Sequence, residues 1–159
     1  MSDSAGLRVI GGLAALEAAV GAELGLGEWR VVAQDRIDAF AEATDDRQWL
    51  HVDPSRAAAG PYGGTIAHGY LTLSLLPELA ASAFRVDGVA ARVNYGLERV
   101  RFPAVVRPGS RIRTRAALLA VERVAGGLRA VIRHTVELEG SAKPACVAET
   151  VTLYLEVAS

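Results

Sequence analysis

One cysteine among 159 residues, Cys146, excludes an intramolecular disulfide framework and suits a reducing compartment. It falls in an alternating apolar stretch, where a thiol behaves as a small buried hydrophobe. Neither sign of charge is in excess: 17 basic residues against 18 acidic ones leave a net charge of −1, with no basic block. A polyanionic partner such as nucleic acid is therefore not expected. Long apolar runs are also missing. Glu17, Glu23, Glu78 and Arg85 interrupt every candidate well short of the ~20 residues a membrane span needs, so no membrane association is expected. The Ala-rich stretch 13–22 does not make a secretory signal, because Asp3 precedes the only early cation, Arg8, and Glu17 lies inside the run. A cytoplasmic location is expected. There is no P-loop, no dinucleotide fingerprint and no Cys/His cluster, and Gly109-Ser110-Arg111 lacks the flanks of a nucleophile elbow. Neither a metal nor a redox cofactor is expected.

Apolar residues make up 51% of the chain and charged residues 22%, which suits one folded domain with a real core. Residues 1–10 are expected to fray. Leu13, Leu16 and Val20 carry a helical period that Gly21, Gly25 and Gly27 end, giving a helical extension over 1–28 ahead of a single domain over 29–159. Within that domain the pattern predicts a strand at 29–33, a helix at 35–43, a short helix at 54–59 and a strongly apolar helix at 67–84. Pro77 should kink or break this last helix, and apolar residues on all its faces predict burial. After Asp87-Gly88 the period switches to two, predicting strands at 89–102, 111–124, 128–139 and 145–157, with Gly126-Gly127 as a hairpin. A buried helix followed by a long antiparallel meander with one apolar face is an α+β arrangement in which the sheet wraps the helix.

The stretch 44–76, TDDRQWLHVDPSRAAAGPYGGTIAHGYLTLSLL, carries the chemistry. Asp46 and His51 are five residues apart. On a helix that spacing points two side chains about 140° apart, and on a strand it puts them on opposite faces. The pair converges only across an irregular turn, which the end of a helical pattern near Thr44 and the Asp53-Pro54 helix start allow. A Gly-rich loop, Gly60-Pro61-Tyr62-Gly63-Gly64, then leads to Thr65-Ile66-Ala67-His68-Gly69 and the apolar helix.

DDRQWLHVDP followed by GPYGGTIAHGYLTLSLLP resembles the MaoC-like (R)-specific enoyl-CoA hydratases, and within them the nodulation protein N-like branch. The resemblance extends over nearly the whole chain. It implies a hot-dog fold, normally a homodimer with its two sheets joined edge to edge, and an acyl-CoA substrate with no cofactor besides it. Asp46 and His51 fall on the family's catalytic Asp and His, and Gly69 on the glycine whose backbone N–H polarises the thioester carbonyl. Two departures stand out. The family's D-x-N-P-x-H reads Asp46-Arg47-Gln48-Trp49-Leu50-His51, and a family serine aligns with Pro77 while Ser74 lies one turn earlier.

Hydration of a trans-2-enoyl thioester needs a base to activate water for C3, an acid to protonate C2, and a donor for the enolate-like oxygen. Asp46 and His51 can share one water and supply the first two; the Gly69 N–H, with the helix dipole, supplies the third. Gln48 can orient the turn or touch the thioester, Asn94 can hydrogen-bond near the site, and Tyr62 can line an acyl tunnel. Trp49 is read as packing, His68 as a structural hydrogen bond, and His134 as a core or interface histidine. Of the arginines at 99, 101, 107, 111, 113 and 115, a solvated sheet face accounts for most, leaving one or two for CoA phosphates. The leading expectation is an enoyl-CoA hydratase, running in reverse as a 3-hydroxyacyl-CoA dehydratase. The alternatives are a hot-dog acyl-CoA thioesterase and a non-catalytic acyl-thioester-binding module.

Overall fold

The computed structural model describes residues 6–158. In chain order come β1 (Arg8–Gly11), α1 (Leu13–Ala18), β2 (Glu23–Leu26), β3 (Arg30–Val32), α2 (Gln34–Thr44), α3 (Trp49–Val52), α4 (Pro54–Ala58), α5 (Gly69–Ser74), α6 (Leu76–Ala81), β4 (Phe84–Asp87), β5 (Ala91–Arg101), β6 (Ser110–Val124), β7 (Gly127–Leu138) and β8 (Cys146–Leu155). The four long alternating segments are thus the four long strands β5 to β8. They form one antiparallel sheet in the order β2-β6-β7-β8-β5, and β3 pairs with the start of β6 beyond the end of β2. Along β7, Ala130, Ile132, His134 and Val136 are buried while Arg129 and Arg133 are exposed, as the alternation requires. The buried face wraps α5 and α6, whose Leu71, Leu76 and Leu79 pack into the core with Ile37, Ile112 and Val136. This is an α+β hot-dog fold. Among the described residues no helix is long and apolar enough to cross a membrane.

Four expectations are corrected, while the break expected at Pro77 is present. Residues 8–11 are not frayed: β1 pairs in parallel with β4, a tertiary contact with no local signature. The stretch 1–28 is only in part helical, since α1 lies between two strands and β2 joins the main sheet through Leu24, which is fully buried. The apolar helix is two pieces. Pro77 lacks an N–H and its ring opposes the Leu73 carbonyl, so the helix breaks at Leu75 and restarts with proline in its first turn. Nor is it buried all round, because Tyr70, Ser74 and Pro77 share an exposed face. The hairpin is displaced by one residue: Val124 pairs with Gly127, so Ala125-Gly126 forms the turn, with Gly126 at φ 77°.

His134 sits inside this core beside the Thr114 hydroxyl, with Nδ1 to Oγ1 at 3.3 Å. Burial, and secondarily the Arg92 charge, lower its pKa to about 4. A histidine held neutral when folded but free to protonate near 6.5 when unfolded stabilises the fold fully above about pH 6.5. That contribution is lost as pH falls from there toward about 4, by on the order of 3 kcal/mol. Urea titrations of wild type and His134→Gln across pH 4–7 should therefore show a shallower acid loss in the variant. Parallel curves would refute a neutral buried imidazole.

Candidate active site

Helix α2 ends in a way that exposes an acid. Thr44 Oγ1 donates to the Phe40 carbonyl at 2.7 Å, and Asp45 takes φ 59°, a left-handed position that short polar side chains tolerate. The reversed chain then runs irregularly through Asp46, Arg47 and Gln48 into the single turn of α3. His51 lies on that turn. Asp53 follows as expected, its Oδ1 accepting the Arg56 N–H at 3.0 Å with Pro54 at the first position of α4. The irregular turn brings the pair together: ligand-type atoms of Asp46, His51 and His68 all lie within 4.8 Å of one another.

The two histidines are in fixed tautomers. His51 Nδ1 is 2.7 Å from the Ile66 carbonyl, which can only accept, so Nδ1 carries the proton and Nε2 has a free lone pair. His68 Nε2 is 2.9 Å from the Asp46 carbonyl and must donate to it, which leaves the buried Nδ1 without a partner. The rings stack, with centroids 3.7 Å apart and planes 26° from parallel. His68 is only 3% exposed, whereas the Asp46 carboxylate is 52% exposed and 4.0 Å from His68 Nε2. Asp46 and His51 are therefore seated on a buried imidazole, with the carboxylate open to solvent.

Gln34 holds this turn in place, and sequence reasoning missed it. Its Nε2 donates to the His51 carbonyl at 2.8 Å, and its Oε1 accepts from Thr65 Oγ1 at 2.6 Å. The Gly-rich loop returns alongside α3, with Ile66 N–H on the Leu50 carbonyl at 3.0 Å. Trp49 packs as expected, over Gly60, where a Cβ would come within 2.8 Å of its ring. Asp45 is paired to Arg47 rather than to the site.

At the entrance to α5 the Gly69 N–H has no acceptor among the described residues. The need for glycine there has a further cause: a Cβ would lie 2.9 Å from the Phe102 ring, which covers this helix start. The two-piece helix also means that α5, six residues long, brings a smaller dipole to this N–H than an unbroken helix would. Of the other candidates, Gln48 is exposed at the N-cap of α3 and caps nothing with its side chain. Tyr62 is exposed on the loop. Asn94 lies on β5 in the wall of a cavity of about 440 Å³ bounded by α5, α6 and the sheet. Asp46, His51 and Gly69 are not in its walls; it begins at Leu73, further along α5. Ser74 faces it, but its hydroxyl donates to the Tyr70 carbonyl at 2.7 Å and so stays within the helix.

Because His68 both tethers the Asp46 peptide and backs the His51 ring, the two roles can be separated. His68→Phe keeps a stacked ring and removes the tether, at a stability cost of about 1 kcal/mol. It should lower kcat by roughly tenfold with little change in KM. A KM effect alone would contradict the tethering role.

A long antiparallel sheet wrapped around a central helix, with an acid and two histidines gathered by the turn ahead of that helix, defines a class, the hot-dog fold. The comparisons agree. The MaoC-like domain model matches residues 15–140, and the chain belongs to the MaoC-like dehydratase family. It is 50% identical over 150 residues to the 3-hydroxyacyl-thioester dehydratase Z of Mycobacterium tuberculosis, covering 94% of this chain and 99% of that one. It is 45% identical over 144 residues to nodulation protein N of Rhizobium leguminosarum bv. viciae, covering 89% of each. In three dimensions it matches the monoamine oxidase regulatory protein from Archaeoglobus with a TM-score of 0.76 at 23% identity, over 95% of this chain and 98% of the other.

Proposed function

We propose that this hydro-lyase is an (R)-specific enoyl-CoA hydratase that adds water to trans-2-enoyl thioesters and, in reverse, dehydrates 3-hydroxyacyl thioesters. The observation that carries the proposal is the Asp46 carboxylate brought within 4.8 Å of a ring nitrogen of His51, whose Nδ1 is committed to the Ile66 carbonyl and whose Nε2 is left free. Water held between them gives its oxygen to C3 and a proton to the pair, and the pair returns a proton to C2. The Gly69 N–H donates to the thioester oxygen as negative charge builds there, an interaction of the kind worth about 3–4 kcal/mol in the transition state. All of this uses side chains and one amide, and no cofactor is required.

Further features fit the proposal. Arg111, Arg113 and Arg115 are engaged by carboxylates on the outer sheet face, so Arg99, Arg101 and Arg107 are the better candidates for CoA phosphates. Strand β5 is an exposed sheet edge with Val93, Tyr95 and Leu97 uncovered, close to the exposed Tyr70. An unpaired apolar edge of this kind needs a cover, and a second copy in a homodimer would supply it. The test is loss of the conjugated enoyl absorbance with crotonyl-, hexenoyl- and decenoyl-CoA, followed by chiral analysis of the 3-hydroxyacyl product. Turnover to the (R)-product is expected. Release of free thiol without hydration, or no turnover at any chain length, would overturn the reading.

A further inference from the structure

The cavity between helix and sheet has two unlike walls. Its roof is apolar, from Leu73, Leu76, Pro77, Ala80 and Phe84. Its floor is mixed: beside Leu97, Ile132 and Val151, three neighbouring strands place Arg92 and Asn94 (β5), Thr152 and Tyr154 (β8) and His134 (β7). Register explains the grouping, since Arg92 pairs with Tyr154 and Asn94 with Thr152. A cavity meant for a plain hydrocarbon has no use for such a floor, because burying alkane over polar groups strips their water and returns nothing.

The floor is also biased toward donors. Arg92 has no carboxylate partner among the described residues, although ten other arginines do. Arg92 lines the same cavity as His134 and Tyr154, and pairs with Tyr154 across the β5–β8 ladder. Burial pushes the Tyr154 phenol up to about 12, which keeps it a protonated donor. His134, with its Nδ1 3.3 Å from the Thr114 hydroxyl, also lines the cavity.

We infer that this cavity receives an acyl chain whose far end is a carboxylate, with Arg92 as the residue that selects it: the substrate class is a monothioester of a dicarboxylic acid. The inference rests on the hydratase reading for the direction of the chain. From Gly69 the chain passes Ser74 after about 7.5 Å of helix and has about 9 Å more roof to Ala80, at 1.5 Å per residue. Six carbons end near Ser74 and ten a few ångströms beyond it, in the nearer part of that roof.

The experiment compares trans-2-enoyl-CoA thioesters of six, eight and ten carbons, each ending in methyl or in carboxylate, on wild type and Arg92→Gln. At the best-fitting length, wild type should favour the carboxylate end by about tenfold or more in kcat/KM, as a charge-assisted contact predicts. In Arg92→Gln the ratio should fall to about one or below, with the thermal midpoint unchanged because Arg92 is exposed at the sheet edge. A methyl preference in wild type, or a ratio unaltered by the substitution, overturns the inference. If no thioester turns over, the hydratase reading fails by itself, and calorimetry with saturated adipoyl-, suberoyl- and sebacoyl-CoA against their monocarboxylic counterparts still decides the cavity. Tighter binding of a dicarboxylic thioester that depends on Arg92 supports it, and equal binding refutes it.

Discussion

Asp46→Asn is expected to lower kcat for enoyl thioester hydration by about 10²–10⁴-fold while leaving the thermal midpoint where it was. The two halves of that expectation have separate causes. The Asp46 side chain is more than half exposed and makes no hydrogen bond; what holds the turn is its backbone carbonyl, bound to His68. An isosteric amide keeps that carbonyl and removes only the charge that orients water and accepts its proton. His51→Ala should cost a similar factor in rate, and in addition some stability, because the Ile66 carbonyl loses its donor in a buried place. Circular dichroism and melting curves taken beside the rate separate these effects. An Asp46→Asn enzyme with wild-type turnover would remove the acid from the mechanism.

The largest expected effect on stability lies at Gly127, far from the chemistry. A Cβ there would stand 2.0 Å from the Tyr154 carbonyl oxygen and 3.0 Å from its carbonyl carbon. Those are backbone atoms of the paired strand β8, so no rotamer change relieves the clash and the start of the β7–β8 ladder must part. Gly127→Ala should cost about 2–3 kcal/mol, seen as a fall of roughly 5–10 °C in Tm. Gly126→Ala is the comparison. It strains a positive φ but meets nothing within 4 Å, so its loss should be smaller. If Gly127→Ala melts with the wild type, the close approach of these two strands is wrong.

Much of the fold was legible because its long strands each bury one face, so a period of two survives in the sequence from Ala91 to Leu155. What was not legible is tertiary. The strand Arg8–Gly11 exists because Phe84–Asp87 lies beside it, and four residues carry too little period to announce that. Pro77 announced a break in the helix but not its place at Leu75. In the site, spacing showed only that Asp46 and His51 could converge across an irregular turn, and it was the resemblance to the MaoC-like hydratases that named them as the pair. The groups that aim the pair left no mark: the Ile66 carbonyl is backbone, and Gln34 is a polar helix-start residue of an ordinary kind, 17 positions from His51. Arg92 was obscured for another reason. Register shifts in β5 between Asn94 and Gly96, and between Leu97 and Arg99, disturb the alternation that would have placed it on the inner face.

The central claim is that Asp46 and His51 work as one unit on one water. The most direct measurement is the hydration rate of the Asp46→Asn/His51→Ala double variant beside each single variant, with decenoyl-CoA as substrate. Members of one unit are strongly non-additive, so the double variant should be no slower than the slower single variant, within about a factor of three. Losses that multiply, so that the double variant falls by the product of the two single effects, would mean two independent groups and would contradict the account.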